Sequence, residues 1–198
     1  MDDVSRTRRF VELSLDKHDW SPSPLLGQVV LVTSVDAHGV IDVAPKSWVS
    51  MAAFAGPIVG FGCNVEHGTH RNIESTGEFV INVPDSSLAE RTWNVLGSHR
   101  DERITESGLT LQQGRTVAVP FVVECPAHLE CHHYQTVAFP GGEVFIFGTI
   151  SSIAVEEACL TAELSERYHA LNPFFFLESG SYATLGEPHQ ATRPEQDG

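Results

Sequence analysis

The order of extended segments in this 198-residue chain predicts a mainly β protein, an antiparallel barrel accompanied by short helices. Runs rich in β-branched and aromatic residues follow one another, and compact turns join several of them. Few long helical patterns lie between these runs. Because parallel strands need long crossovers that are usually helical, the arrangement favours antiparallel pairing over a βαβ sheet.

The first predicted unit is a hairpin followed by a third strand. The run "GQVVLVTSV" (27–35) is dense in β-branched residues, and "DAHG" (36–39) follows as a turn in which Gly39 suits a positive φ. A second strand, "VIDVAP", completes the hairpin. The third strand, "PIVGFGC" (57–63), contains glycines that let backbone or ligand approach closely.

A strand, short helix, strand pattern comes next, in "GTHRNIESTGEFVINVP". Thr69 is the predicted N-cap of the helix and Gly77 its C-cap, and residues 78–83 alternate as a strand. A second helix is predicted over 85–97, capped by one of the two serines near its start. Its predicted buried positions are Leu88, Trp93 and Leu96.

The second half of the chain contains the two strongest strand signals. Residues 98–126 mix charge, glycine and proline and are predicted to be mostly loop with short extended pieces. Residues 128–139 and 143–155 follow as strands joined by "PGG". The polar segment "EPHQATRPEQDG" at the end of the sequence is expected to fray.

The composition excludes several classes of partner. A formal charge of -14 opposes nonspecific binding to nucleic acid or to anionic lipid. The four cysteines show no CxxC pairing, the first residues contain no apolar signal segment, and no uncharged run suits a membrane helix. We therefore expect a cytoplasmic protein that binds neither nucleic acid nor membranes.

The sequence also disfavours metal binding and the common nucleotide motifs. In "CPAHLECHHYQ" the alternation of a strand places Cys131 and His133 on one face and His128 and His132 on the other, so no face offers a complete ligand set. The option that His133 faces a ligand cleft stays open. There is no GxGxxG, GxxxxGK[ST], GxSxG or HExxH motif.

The segment "NVEHGTHRNI" (64–73) has the composition of an anion site. Asn64, His67, Thr69, Arg71 and Asn72 crowd the beginning of a predicted helix, where free N–H groups and the helix dipole attract a phosphate. The alternative is that Thr69 only caps the helix and that Arg71 is solvated.

The segment "APKSWVSM" lies just upstream of the glycine-containing strand. Its lysine, two hydroxyls and indole suit a ligand with a planar aromatic end and an anionic end. The alternative is that Trp48 is a core or interface aromatic.

Together these segments resemble the flavin reductase-like family, the FMN-binding split barrels that include flavoredoxin. The resemblance runs in order through "VVLVTSVDAHGVIDVAPKSW", "GTHRNIESTGEFVINVP", "SGLTL", "LECHHYQTV", "GGEVFIFGTI" and "SYATLGE". It implies a six-stranded antiparallel split barrel over residues 22–187, between an extension at 1–21 and a tail at 188–198. It also implies a homodimer with FMN at or near the subunit interface.

The resemblance further implies which residues contact FMN. Residues expected along the flavin ring and ribityl chain are Lys46, Ser47, Trp48, Val49 and Ser50. Cys63 and Asn64 follow the central strand toward the same groove. Thr69, Arg71 and Asn72 are expected to hold the phosphate, beside His67, which stands where many members have a lysine.

The activity implied by the resemblance is NAD(P)H-dependent flavin reduction, with NADH or NADPH donating hydride to flavin N5. Electrons would pass to an acceptor such as a monooxygenase. The cofactor carries this chemistry, so no catalytic side chain is required. Small reductases of the family often carry a histidine before the final barrel strand, where this chain has Glu143 and Val144. That departure leaves open an FMN-binding electron carrier reduced by a partner protein, and a split barrel with another ligand, such as haem or a pyridoxal-type phosphate, is a third possibility.

Overall fold

The computed structural model describes residues 9–97, 103–161, 163–189 and 191. It contains twelve strands in three sheets. The strands are β1 (Gly27–Gln28), β2 (Val30–Val35), β3 (Ile41–Lys46), β4 (Val49–Ala53), β5 (Ile58–Asn64), β6 (Glu78–Val83), β7 (Leu111–Gln112), β8 (Phe121–Val122), β9 (Ala127–Ala138), β10 (Glu143–Val155), β11 (Phe174–Phe176) and β12 (Tyr182–Thr184). The α-helices are α1 (Gly68–Thr76), α2 (Ala89–Gly97), α3 (Arg103–Ser107), α4 (Ala158–Thr161) and α5 (Leu164–Leu171).

The main sheet has seven strands in the order β3-β2-β6-β9-β10-β5-β4, and every pair is antiparallel. Strands β3 and β4 lie at opposite ends of that order, yet only Ser47 and Trp48 separate them in the chain. The sheet must therefore curl until its two edges meet. The Gly62 N–H donates to the Trp48 carbonyl at 2.9 Å, which extends the pairing of β4 with β5 back to the residue before β4. The predicted antiparallel barrel with short helices is confirmed, with one strand more than the six expected.

The additional strand is β4, in a segment for which the sequence predicts ligand contacts and no strand. It pairs with β5, with a register shift between Met51 and Ala53. Strand β4 is short and contains this register shift, so its residues show no clear alternation of apolar and polar side chains. The segment therefore carried no strand signal of its own.

The predicted hairpin is confirmed. Strands β2 and β3 pair from Val35 with Ile41 to Val30 with Lys46. The Asp36 carboxylate accepts hydrogen bonds from the backbone N–H groups of His38 and Val40, each at 2.9 Å. Gly39 adopts the expected positive φ of 84°.

Large apolar side chains fill the barrel. Phe61 and Phe79 are fully buried and meet edge to face, with ring centroids 5.5 Å apart. Gly148 lies directly beside Phe79, because a Cβ at this glycine would stand 2.4 Å from Phe79 Cζ. The position therefore requires glycine for close packing.

Helix α1 begins one residue before the predicted cap. Its N-cap is His67, which makes no side-chain capping bond, and Thr69 lies inside the first turn. Gly77 ends the helix as predicted, with φ of 73° and its N–H donating to the Ile73 carbonyl at 2.8 Å.

The second predicted helix is confirmed in part. Asp85, not a serine, caps a 3₁₀ turn by accepting from the Ser87 N–H at 2.7 Å, and α2 follows. Leu88 is buried as predicted. Trp93 and Leu96 are 47% and 54% exposed, so the prediction that they are buried was wrong. Their side of α2 borders an open cleft instead of a core.

The rest of the chain packs around the barrel. Strands β1, β11 and β12 form a small sheet, and β7 pairs with β8 in the region predicted as loop, of which residues 98–102 lie outside the described residues. Most of the tail predicted at 188–198 also lies outside them. No helix in the described ranges is long and apolar enough to span a membrane.

Candidate functional site

A cleft of about 580 Å³ lies where the end of β3, helix α2 and the small sheet meet. Its walls are mainly apolar and aromatic. They comprise Val29, Pro45, Lys46, Ser47, Ala89, Glu90, Thr92, Trp93, Asn94, Leu96, Phe174, Phe176, Gly180 and Tyr182. The volume lies within the range of about 300–1,000 Å³ that is typical of small-molecule and cofactor sites.

Aromatic rings form two walls of the cleft. Trp93 of α2 stacks on Phe176 of β11, with centroids 6.1 Å apart and planes 16° from parallel. Phe174 meets Tyr182 edge to face at 5.4 Å. Trp93 also covers Gly180, where a Cβ would stand 3.1 Å from the indole. These rings give the cleft flat surfaces that suit a planar ligand.

One polar group of the cleft has no partner. Thr92, in α2, is 4% exposed, and its Oγ1 has no hydrogen-bond partner among the described residues. A buried hydroxyl without a partner costs free energy, and such groups are rare unless a ligand or water satisfies them. Thr92 lies in the cleft wall, but its oxygen is itself buried, so a polar ligand atom would reach it only after the side chain rotates.

Charged side chains gather at the beginning of α1, next to the end of β3. Lys46 is half-buried and belongs to the cleft wall, and it acts electrostatically on His67 together with Glu143, Arg103 and Asp42. Partial burial of the imidazole, followed by repulsion from Lys46, lowers the pKa of His67 below its ordinary value of 6.5. The imidazole is therefore mostly neutral at pH 7. Its Nδ1 lies 3.7 Å from the Cys63 sulfur.

Two of the residues expected to hold a phosphate are buried beneath α1. Thr69 is 1% exposed and donates to the Asp42 carboxylate at 3.3 Å, and Asn72 is 2% exposed and donates to the Ser34 hydroxyl at 3.1 Å. Arg103 of α3 donates to the other Asp42 oxygen at 2.9 Å. Thr69 and Asn72 therefore anchor the helix to the β2–β3 hairpin.

The other two residues of this segment lie at the surface. Arg71 is exposed, and its guanidinium donates to the Glu66 carbonyl at 2.5 Å. Asn64 donates to the Glu143 carboxylate at 3.0 Å and accepts from the Glu66 N–H at 3.0 Å. Both stabilise the loop between β5 and α1.

The five residues expected along the flavin ring divide between two surfaces. Lys46 and Ser47 line the cleft. Trp48 instead covers Gly62, where a Cβ would stand 3.0 Å from the indole, and remains 55% exposed. Val49 packs against the barrel core. Ser50 is exposed and donates to the Met51 carbonyl at 3.1 Å.

His133 does not line this cleft. Its Nε2 lies 2.9 Å from the Thr136 hydroxyl and 3.6 Å from the Glu74 carboxylate, beside the later turns of α1. Thr136 donates to the same carboxylate at 2.6 Å. The imidazole therefore belongs to a surface hydrogen-bond network.

Sequence reasoning missed most of the cleft. The residues concerned are Thr92, Trp93, Phe174, Phe176 and Tyr182 in the walls, and Asp42, Arg103 and Glu143 near α1. The run "NPFFFLESGSY", with three consecutive phenylalanines before a glycine turn, was the available signal for the aromatic walls. Nothing local indicated that Asp42, inside an apolar strand, would face a helix.

The fold and cleft define a split-barrel flavoprotein class, and comparison with known proteins agrees. The model of the flavin reductase like domain matches residues 24–171. The chain therefore belongs to the flavin reductase-like family.

Solved structures with the same fold come from several bacteria. Nitrilotriacetate monooxygenase component B from Bacillus cereus superposes with a TM-score of 0.82 at 22% identity, covering 93% of this chain and 100% of that one. The 2-nitrobenzoate 2-nitroreductase NbaA of Pseudomonas fluorescens has a TM-score of 0.78 at 25% identity, covering 88% of each chain. Flavoredoxin of Desulfovibrio vulgaris (Miyazaki F) has a TM-score of 0.77 at 20% identity, covering 91% and 97%.

Proposed function

We propose that this chain is an FMN-binding oxidoreductase that performs NAD(P)H-dependent flavin reduction, with hydride transfer to flavin N5 and onward transfer of electrons to an acceptor. The observation that carries the proposal is the continuity of the aromatic cleft with the charged cluster at α1. Lys46 takes part in both, and Ser47 follows it in the cleft wall. A ligand with a flat ring and an anionic tail matches this layout.

The cleft residues fit a flavin ring. Trp93 and Phe176 stack on each other and together offer a flat apolar surface, and burial of a large ring against that surface stabilises binding through the removal of apolar area from water. The Thr92 hydroxyl is buried in this wall without a partner among the described residues, and we propose that it rotates toward a polar edge atom of the ring. Ser47 supplies a second hydroxyl in the same wall.

The phosphate end is proposed to lie at the first turn of α1. The first N–H groups of a helix have no intrahelical partner and attract anions. Lys46 and Arg103 supply positive charge close by, while the neutral His67 can donate only a hydrogen bond. In this arrangement Thr69 and Asn72 position the helix, and the ligand meets its N-terminus.

FMN, when bound, supplies a ring that accepts hydride and releases electrons singly or in pairs. The chain's own contribution is orientation. The aromatic walls exclude water from one side of the cleft, and Lys46 stabilises negative charge that develops nearby. Neither task needs a side-chain acid or nucleophile.

The experiment begins with the absorption spectrum of the purified protein after addition of FMN and removal of excess. Anaerobic mixing with NADH and with NADPH should then bleach the flavin absorbance with at least one of them. Flavin absorbance that persists with both nucleotides would contradict hydride transfer. Absence of any flavin binding would contradict the whole proposal.

A second candidate is an FMN-binding electron carrier, as the name of the structurally similar flavoredoxin suggests. Val144 stands where small reductases often carry a histidine, and its side chain is 4% exposed within the barrel core. A buried valine side chain offers no imidazole and no exposed surface to a nicotinamide. The carrier predicts a flavin that a partner reductase bleaches and pyridine nucleotides do not.

The acceptor and the assembly are also proposed. The names of nitrilotriacetate monooxygenase component B and of the nitroreductase NbaA support a monooxygenase partner or a small organic molecule as the electron acceptor of this chain. Homodimerisation is supported by three apolar side chains exposed on and beside β4, those of Trp48, Met51 and Phe54, the last at 95%. Light scattering after size exclusion would test the dimer.

The four cysteines are free, which supports a cytoplasmic location.

A further inference from the structure

The least expected group near the proposed phosphate end is the carboxylate of Asp42. This residue lies in β3 opposite Ser34 and is 1% exposed. One carboxylate oxygen accepts from Thr69 in the first turn of α1 at 3.3 Å, and the other accepts from Arg103 at 2.9 Å. A buried negative charge therefore sits directly beneath the helix turn that would receive a phosphate.

Asp42 uses hydrogen-bond donors that would otherwise serve an anionic ligand. The Thr69 hydroxyl is directed into the protein, and one guanidinium nitrogen of Arg103 is committed to the carboxylate. A phosphate at the first turn would have to compete for these groups or do without them. In either case it would lose charge-assisted hydrogen bonds, which are the strong ones.

The local charge balance leads to the same conclusion. The charged groups that act on His67 are two cations, Lys46 and Arg103, and two carboxylates, Asp42 and Glu143. The segment itself adds one charge of each sign, on Glu66 and Arg71. With the imidazole neutral, these six charges sum to zero, whereas a dianionic phosphate is favoured by an excess of positive charge. The ring cleft has no such conflict, because its walls are apolar and aromatic.

We propose that Asp42 is a specificity-determining residue that weakens binding of the flavin 5'-phosphate, so that the ring dominates affinity and riboflavin binds nearly as well as FMN. The flavin then exchanges as a substrate and is not retained as a tight cofactor. This inference rests on the proposed function, since it assigns the phosphate end of the same flavin site.

The test measures dissociation constants of FMN and riboflavin from the change in flavin fluorescence on titration with protein. For the unmodified protein we expect the two constants to agree within about tenfold. In Asp42→Asn, which keeps the side-chain shape and removes the charge, FMN should bind about tenfold more tightly, while the riboflavin constant stays unchanged. Thermal unfolding of the variant reports whether the fold is retained.

Ser34→Ala is the matched control, because it removes the Asn72 anchor of α1 without altering charge. It should leave the ratio of the two constants unchanged. A preference of the unmodified protein for FMN above about a hundredfold would overturn the inference without any variant. An unchanged ratio in Asp42→Asn, or an equal change in Ser34→Ala, would also overturn it. Binding of neither flavin would instead overturn the proposed function and this inference with it.

Discussion

Replacing Thr92 by valine should change stability and ligand binding in opposite directions. The side chain is 4% exposed and its hydroxyl has no partner among the described residues. A buried hydroxyl without a partner costs about 1–3 kcal/mol, so a methyl group of similar shape should raise the free energy of unfolding by about 1 kcal/mol. For a chain of this size that corresponds to a rise in Tm of about 2–4 °C.

The same change should weaken flavin binding. If the hydroxyl pairs with a polar atom of the ring, valine removes one hydrogen bond worth about 1 kcal/mol, which is about a fivefold rise in Kd. Thermal unfolding of flavin-free protein gives the first quantity, and fluorescence titration with riboflavin gives the second. Riboflavin is preferred here because it isolates the ring from the phosphate.

Thr92→Ser is the matched control, because it keeps the hydroxyl and loses the methyl group. It should retain the affinity while lowering stability, since a buried methyl contributes about 0.8 kcal/mol. A valine variant that is less stable than the unmodified protein, or one that binds riboflavin equally well, would refute the reasoning. The first result would mean that the hydroxyl is satisfied, and the second that it does not face the ligand.

The remaining predictions concern the cleft wall and the barrel. Ser47→Ala should raise the Kd for flavin severalfold, whereas Ser50→Ala should leave it unchanged, because only the first serine lines the cleft. Glu130 is fully buried; burial acts to raise its pKa, but hydrogen bonds from the N–H groups of residues 115 and 116 outweigh it, so the pKa is lowered. The stability that the ionised carboxylate contributes is therefore present above pH 4.5 and is lost as the pH falls through the folded pKa. Glu130→Gln should lose about 2–3 kcal/mol of unfolding free energy at pH 7, and urea unfolding from pH 7 to pH 3 should show that its stability is less sensitive to acid. Equal pH dependence in the two proteins would contradict this. Gly148→Ala should lower the free energy of unfolding by about 1–3 kcal/mol through its clash with Phe79, and an unchanged Tm would count against the packing described.

Local sequence signals predicted much of the barrel. The alternation and β-branched content of residues 30–35, 78–83 and 143–155 define strands wherever they occur, and Gly39 and Gly77 mark a turn and a helix end through backbone conformations that other residues rarely adopt. These signals depend on neighbours in the chain. They also indicated the two segments that form the ends of the proposed site, around Lys46 and at the beginning of α1.

Trp93 shows where such local reasoning failed. Its helical spacing predicts a buried position, because periodicity identifies an apolar face without identifying what that face meets. In the fold this face meets the C-terminal strands across an open cleft, with Phe176 as the stacking partner. The pairing joins residues more than 80 positions apart and has no local signature.

For the polar groups near α1, the sequence predicted the helix but not the contacts of its side chains. The sequence alone indicated that a short helix begins near Thr69 and ends at Gly77, although it placed the N-cap at Thr69 and not at His67. Only the tertiary structure decided that the side chains of Thr69 and Asn72 turn inward, toward Asp42 and Ser34 of the hairpin. The reason is that a buried polar group forms its hydrogen bond with whichever partner the packing brings close. Here the sheet curls so that β3 and β4, which Ser47 and Trp48 connect, come together, and this brings the hairpin beneath the helix.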